Sequence, residues 1–252
     1  MTRETGSLEF AHARISARWG ERPGDELWRR IQTTRPLAAV LGLARGSSLA
    51  RWLGGLDASS DLHRIDRRFR EAWRERVSEV AGWMPLAWQP ALQGWAALAE
   101  LPVWQCRVQG RPLPRWVADD PALAPLAQTQ LPQPGPTLLG DAVLRPAPPA
   151  RLLEQATAAW LRRLPPVAGR PTIVEVFLPL LQRHLQAFAA PQAVDGWGLR
   201  RGLEQRLALL WRRHPAEPVG AFVHLALVAL EGERLRGELA RRAAFPDRGL
   251  AT

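Results

Sequence analysis

Residues 62–84 read LHRIDRRFREAWRERVSEVAGWM, and along them Leu62, Ile65, Phe69, Trp73, Val77, Val80 and Met84 recur about every 3.7 residues. That spacing matches an α-helix and excludes a strand, whose side chains alternate with a period of two. The opposite face carries Asp61, Asp66, Glu71, Glu75 and Glu79 against Arg64, Arg67, Arg68, Arg70, Arg74 and Arg76, a nearly neutral and solvated surface. Asp57 or Ser59 is placed to cap the start, and Pro85 closes the helix because it has no N–H to donate. A second apolar stretch, Ala91 to about Arg107, follows the break between Pro85 and Pro90. The pattern predicts a helical hairpin spanning Asp57 to Arg111, with Phe69 and Trp73 buried against its second arm.

The flanking sequence has the same character. Leu8 to Trp19, Asp25 to Thr33, Leu37 to Ala44 and Leu49 to Leu56 each read as short helices, separated by Pro23–Gly24, Pro36 and Gly46–Ser47–Ser48. Between Arg111 and Ala150 ten residues are proline, and Gln130 to Pro149 reads as an extended linker; only short turns near Trp116 and between Pro121 and Gln128 are expected. Helix returns at Arg151 to Leu164 and again from Pro171 to about Phe188, where Pro179 should kink or split it. Leu199 to Arg213 and Pro218 to Ala244 complete the chain. The expectation is an all-α, multi-helix, lobed architecture: residues 1–111 as an N-terminal lobe, 112–150 as a proline-rich linker and 151–252 as a C-terminal lobe.

Composition narrows the function. Of the 252 residues 46% are hydrophobic, enough for a substantial core, and β-branched residues are scarce. Lys, Asn and Tyr are absent and Ile is rare, a bias expected of a GC-rich bacterial genome, so all 34 basic residues are Arg. The net charge of +10 is spread evenly, with sixteen Arg and twelve acids in residues 1–110 and eighteen and twelve in the remainder. An even spread argues against a nucleic-acid stripe and is compatible with acidic protein partners or an anionic membrane surface. Cys106 reads as a small buried hydrophobe. Val219 to Leu230, an apolar run of twelve residues that includes His224, falls short of the roughly 20 that a membrane span needs. No secretory leader is evident. A cytoplasmic protein, at most peripheral to the inner membrane, is expected.

Signatures of enzyme chemistry are lacking. There is no phosphate-binding loop, no dinucleotide fingerprint, no nucleophile elbow and no zinc motif. His184, His214 and His224 fall in three different helices, and none but His214, near Glu217 in a turn, has a His or carboxylate three or four residues on, which argues for packing rather than a metal. Asp119–Asp120 precedes Pro121 and reads as a turn that caps the next helix rather than a paired-carboxylate site. No catalytic residue, cofactor or metal is assigned.

Three stretches carry a family resemblance. Phe10-Ala-His-Ala13-Arg14-Ile15 resembles the aromatic-x-x-Ala-Arg-Ile/Val opening of the V-type ATPase C/d-subunit family, and Ile65–Asp66 falls where that family tends to have Ile-Glu. Glu100-Leu-Pro-Val103-Trp104, leading to Gly110–Arg111, is similar to its acidic-x-x-Asn-Leu…Arg-Gly stretch, and Glu231-x-Glu233-x-x-Arg236 repeats a related element. Ser16, Val103 and Arg236 replace the family's Arg, Asn and Asn, and members of the family are longer. The resemblance implies a funnel-shaped, non-catalytic helical adaptor that joins a soluble partner to a membrane-associated rotor. The expected interface is Arg14 and Arg18 on the first helix with Trp83, Trp88 and Trp95 at the hairpin bend. The other reading is a stand-alone helical interaction module with no rotary partner.

Overall fold

The computed structural model describes residues 7–121, 123–127, 149–189 and 195–245. Of these, 77% are helical and none is in a strand, so the chain is all-α as its periodicity dictates. The α-helices are α1 (Leu8–Gly20), α2 (Asp25–Thr33), α3 (Leu37–Arg45), α4 (Leu62–Trp83), α5 (Gln89–Gln93), α6 (Leu101–Val108), α7 (Ala124–Ala127), α8 (Pro149–Leu161), α9 (Leu178–Ala189), α10 (Gly196–Arg213) and α11 (Val219–Ala244). The expected turns of the proline-rich region are present as a 3₁₀ turn at Arg115–Val117 and as α7. Residues 130–148 of the expected linker lie outside the described residues.

Helix α4 buries Ile65, Phe69, Trp73, Val77 and Val80 of the stripe read from the sequence, with Ala72 and Ala81 beside them, while Leu62 on its first turn stays outside. Its cap is Asp61, not Asp57 or Ser59: the Asp61 carboxylate accepts from the Arg64 N–H at 2.8 Å. Asp57 instead folds the preceding turn, accepting from the Ser59 N–H at 2.9 Å. At the other end Met84, the residue before Pro85, is forced into extended backbone with ψ 155.

The second arm of the hairpin is not one long helix. Leu86–Trp88 is 3₁₀, α5 follows, Gly94–Glu100 tightens again to 3₁₀, and α6 restarts at Leu101. Pro90 and Pro102 each sit at a first-turn position. Pro102 offers no N–H to the carbonyl one turn back, so the chain before it closes with i→i+3 bonds, as in Leu101 N–H to the Leu98 carbonyl. The arm still covers α4: Trp73 is buried and its Nε1–H donates to the Trp95 carbonyl at 2.9 Å. Phe69 packs elsewhere, stacked on Trp52 at 5.2 Å.

Pro179 does not split its helix either. The backbone widens to a π-helical turn over Thr172–Phe177, where the Leu178 N–H reaches back to the Ile173 carbonyl, and α9 runs on through the proline. A wide turn gives the pyrrolidine ring the room that an α-turn denies it.

Segments before and after the proline-rich stretch share one hydrophobic core. Helix α11 packs most extensively on α4 and α10, and also meets α1 and α3. Aromatic rings fill the junction. Phe222 of α11 lies 5.8 Å from Trp95, 5.7 Å from Trp160 and 6.5 Å from Trp88. Trp160 of α8 donates its Nε1–H to the Ala91 carbonyl at 2.8 Å, which ties α8 to α5. Close approach of α11 is set by glycine: a Cβ at Gly232 would meet the Trp52 ring at 2.6 Å.

This contact generates a contrast within one helix. Nothing lies within 4 Å of a Cβ built on Gly237, so Gly237→Ala should gain roughly 0.5–1 kcal/mol of helix propensity. Gly232→Ala should instead lose about 1–2 kcal/mol, because overpacking against the buried Trp52 outweighs that gain. Urea melts of the two variants decide it; equal stabilisation would mean that α11 does not seat on Trp52. In the same assay Trp73→Ala should cost about 3–5 kcal/mol.

Candidate functional site

A cleft rich in charged side chains lies where four elements meet. Helix α1 supplies Arg18, the turn after it Arg22, and the 3₁₀ turn Ser48–Trp52 supplies Ser48 and Arg51. Arg76, Glu79 and Trp83 come from α4, and His224 and Glu231 from α11. The side chains arrive there because each helix turns its polar edge toward the same seam while its apolar stripe faces the core. The enclosed space is about 30 Å³, enough for one or two waters but not for an organic substrate.

Ion pairs bind the seam together. Glu79 accepts from Arg18 at 3.0 Å and from Arg76 at 2.6 Å, bridging α1 and α4. Glu21 accepts from Arg18 at 3.0 Å and Arg51 at 2.7 Å. Arg22 donates to Glu204 of α10 and Glu231 of α11, so one guanidinium ties the turn between α1 and α2 to two helices. Burial pulls the Arg22 pKa down, but Glu231 and Glu204 outweigh it and hold it above its ordinary value. Burial also raises the Glu231 carboxyl, against the pull of Arg22. The His224 imidazole is buried, and desolvation, reinforced by Arg22, Arg51, Arg18 and Arg76, pushes its pKa down to about 3. It is therefore neutral near pH 7 and serves neither as a proton donor nor as a cation there. Its Nδ1, the Arg76 Nε and the Ser48 Oγ are buried and have no protein hydrogen-bond partner. Such atoms fit a cleft that holds water or a very small polar group.

A second buried cluster locks the hairpin. Asp120 accepts from Arg70 at 3.2 Å and Arg74 at 3.4 Å, Arg74 also pairs with Glu100 at 3.4 Å, and Arg70 lies 3.9 Å above the Trp116 ring. Burial raises the Glu100 carboxyl. Asp120 also does more than the turn-and-cap role expected of Asp119–Asp120. Its backbone carbonyl accepts from the Leu123 and Ala124 N–H groups at the start of α7, and its carboxylate reaches α4.

The expected interface is divided by the structure. Trp83, Trp88 and Trp95 are all buried and offer no surface for docking. Their spacing at the hairpin bend brings them inward against α11, where large aromatic area is worth most. Arg18 is consumed by Glu79 and Glu21. Arg14 alone is exposed, its guanidinium 5.4 Å from the Trp83 ring. His184, His214 and His224 do not converge: His214 pairs with Glu217 at 3.0 Å, His184 meets the edge of Phe188, and His224 is in the cleft. Among the described residues no group of three His, Cys, Asp or Glu could hold a metal, and Cys106 is a partly buried free thiol. The roles of Arg22, Arg51, Arg76 and Glu231 were not foreseen. Only His224, a polar residue within an apolar run, signalled that a buried polar site existed.

Among the described residues no helix is long and apolar enough to cross a membrane. No protein-family model, no curated protein sequence and no solved structure matches the chain.

The cleft imposes a pH dependence. An unfolded histidine takes up a proton below about pH 6.5, whereas the folded His224 refuses it until about pH 3. Stability present above the unfolded value is therefore lost as pH falls. Relative to His224→Phe, the parent should lose about 1.4 kcal/mol per pH unit below that point. Denaturant melts between pH 7 and pH 4 measure the difference, and parallel curves would show that His224 is solvated.

Proposed function

We propose that this chain is a non-catalytic helical adaptor, lobed in the manner of the V-type ATPase C/d-subunit family, that couples a soluble partner to a membrane-associated complex. The observation that carries the reading is the outer face of α1. In the motif shared with that family, Ala11 and Ile15 are buried, while Phe10, Ala13, Arg14 and Ala17 lie exposed at positions i, i+3, i+4 and i+7. Phe10 is 50% exposed, so its ring contributes little to this fold. Ala13 between Phe10 and Arg14, with Ala17 a turn further on, lets another helix approach closely and leaves it one apolar and one bidentate anchor. Trp83 beneath the Arg14 guanidinium orients it. A rigid body with an open helical face meets the needs of a coupling protein at the inner membrane, and no step of the reading requires a nucleophile, base or metal.

Arg14→Glu is the clean test, because the side chain is exposed. Arg18→Glu would set a carboxylate against Glu79 and Glu21 and damage the interior instead. The parent should co-purify with a membrane-associated complex under gentle detergent, and Arg14→Glu should weaken that association without lowering the melting temperature. Recovery of the parent alone would overturn the coupling role and leave the stand-alone interaction module.

A further inference from the structure

On the far side of the Arg22 ion pairs, α10 and α11 enclose a surface groove of about 60 Å³ whose chemistry differs from that of the cleft. Its floor is Trp28, which is buried, and its wall is Trp197, which is 41% exposed. The Arg234 guanidinium lies 4.3 Å from the Trp28 ring and 6.0 Å from Trp197. Arg200 is sandwiched, 5.0 Å from Trp197 and 4.9 Å from Phe188. Arg201 completes the set with a side chain 70% exposed and a carboxylate, Asp195, no nearer than 4.0 Å.

The groove's two acids are already engaged. Glu204 and Glu231 also line it, but both accept from Arg22 behind the groove. Three guanidiniums thus face two carboxylates that a fourth guanidinium already holds. Attraction to the rings holds the Arg200 and Arg234 guanidiniums without using their N–H donors, which leaves those donors to oxygen acceptors. The Arg234 Nε is buried and has no hydrogen-bond partner, an unmet donor in the groove wall. The end of α10 is not the attraction, because the Asp195 carboxylate already accepts from the Gly198 N–H at 2.8 Å.

We infer that this groove docks an acidic segment of a protein partner, its carboxylates received by the edges of Arg200, Arg201 and Arg234 while Trp197 packs along the segment's chain. Carboxylate matches the fork geometry of guanidinium, and a shallow groove of this size admits side-chain carboxylates one at a time. The surface is distinct from the α1 face, so its test stands whether or not the coupling role does.

Fluorescence anisotropy of fluorescein-labelled hexaglutamate, titrated with the full chain, tests it against hexaglutamine carrying the same label. The glutamate peptide should bind more tightly, and increasingly so as salt is lowered. Arg200→Gln or Arg201→Gln should each weaken binding by roughly tenfold, the scale of one charge-assisted hydrogen bond. Trp197→Ala should weaken it as well, by releasing Arg200. Arg213→Gln, an exposed arginine at the other end of α10, should leave binding unchanged. Arg201 is so exposed that its replacement does not threaten folding, and melting curves check the other variants. An equal loss for Arg213→Gln and Arg201→Gln would reduce the effect to overall positive charge and overturn the inference. So would an unaffected Trp197→Ala, or displacement of the peptide by inorganic phosphate at lower concentration than by free glutamate peptide.

Discussion

The rings around Phe222 are the contact on which the arrangement depends. Trp88 and Trp95 come from the segment before the proline-rich stretch, Trp160 and Phe177 from the segment after it, and Phe222 from the closing helix. No local periodicity could bring these residues together, because each belongs to a different helix or turn. Their burial gives the chain one core, and α4 and α11 are positioned by it. Once those two helices are side by side, the remaining polar residues along the seam must find partners, since an unpaired buried charge costs several kcal/mol. The arginine network is therefore a consequence of the aromatic packing.

Helical class and most helix positions were legible because they rest on spacing. The stripe of α4 from Ile65 to Met84 is visible in the sequence, and the structure buries it. What spacing could not convey is the detail set by single residues against their neighbours. Pro102 and Gly94 break the second arm into short pieces, although its apolar residues alone suggest a continuous helix. Pro179 suggests a break, yet a π-turn absorbs it. Asp61 wins the cap over Asp57 because Asp57 is spent on the turn before.

The site was less legible, for a physical reason. Arginine and glutamate on a helix look alike in sequence whether they face water or a seam, and the difference is made by the helix packed opposite. Arg18 and Arg14 sit one turn apart on α1, yet Arg18 is drawn into the interior by Glu79 of α4 and Arg14 is left outside. Tryptophan misleads in the opposite way. It is common at interfaces and in cores, and at the hairpin bend the core claims it.

Arg242, near the end of α11, gives this connectivity a consequence for biosynthesis. Its buried guanidinium donates to the carbonyls of Ile31 and Thr34 at 2.6 Å and so finishes the C-terminal end of α2, some 208–211 residues earlier in the chain. Arg22 likewise finds Glu231 across 209 residues. The first helices thus emerge from the ribosome long before these partners are made. Helices usually gather their contacts from near neighbours and fold early. Here the helix end of α2 and the Arg22 guanidinium must wait for α11 to be made before they meet these partners, so this part of the fold closes late.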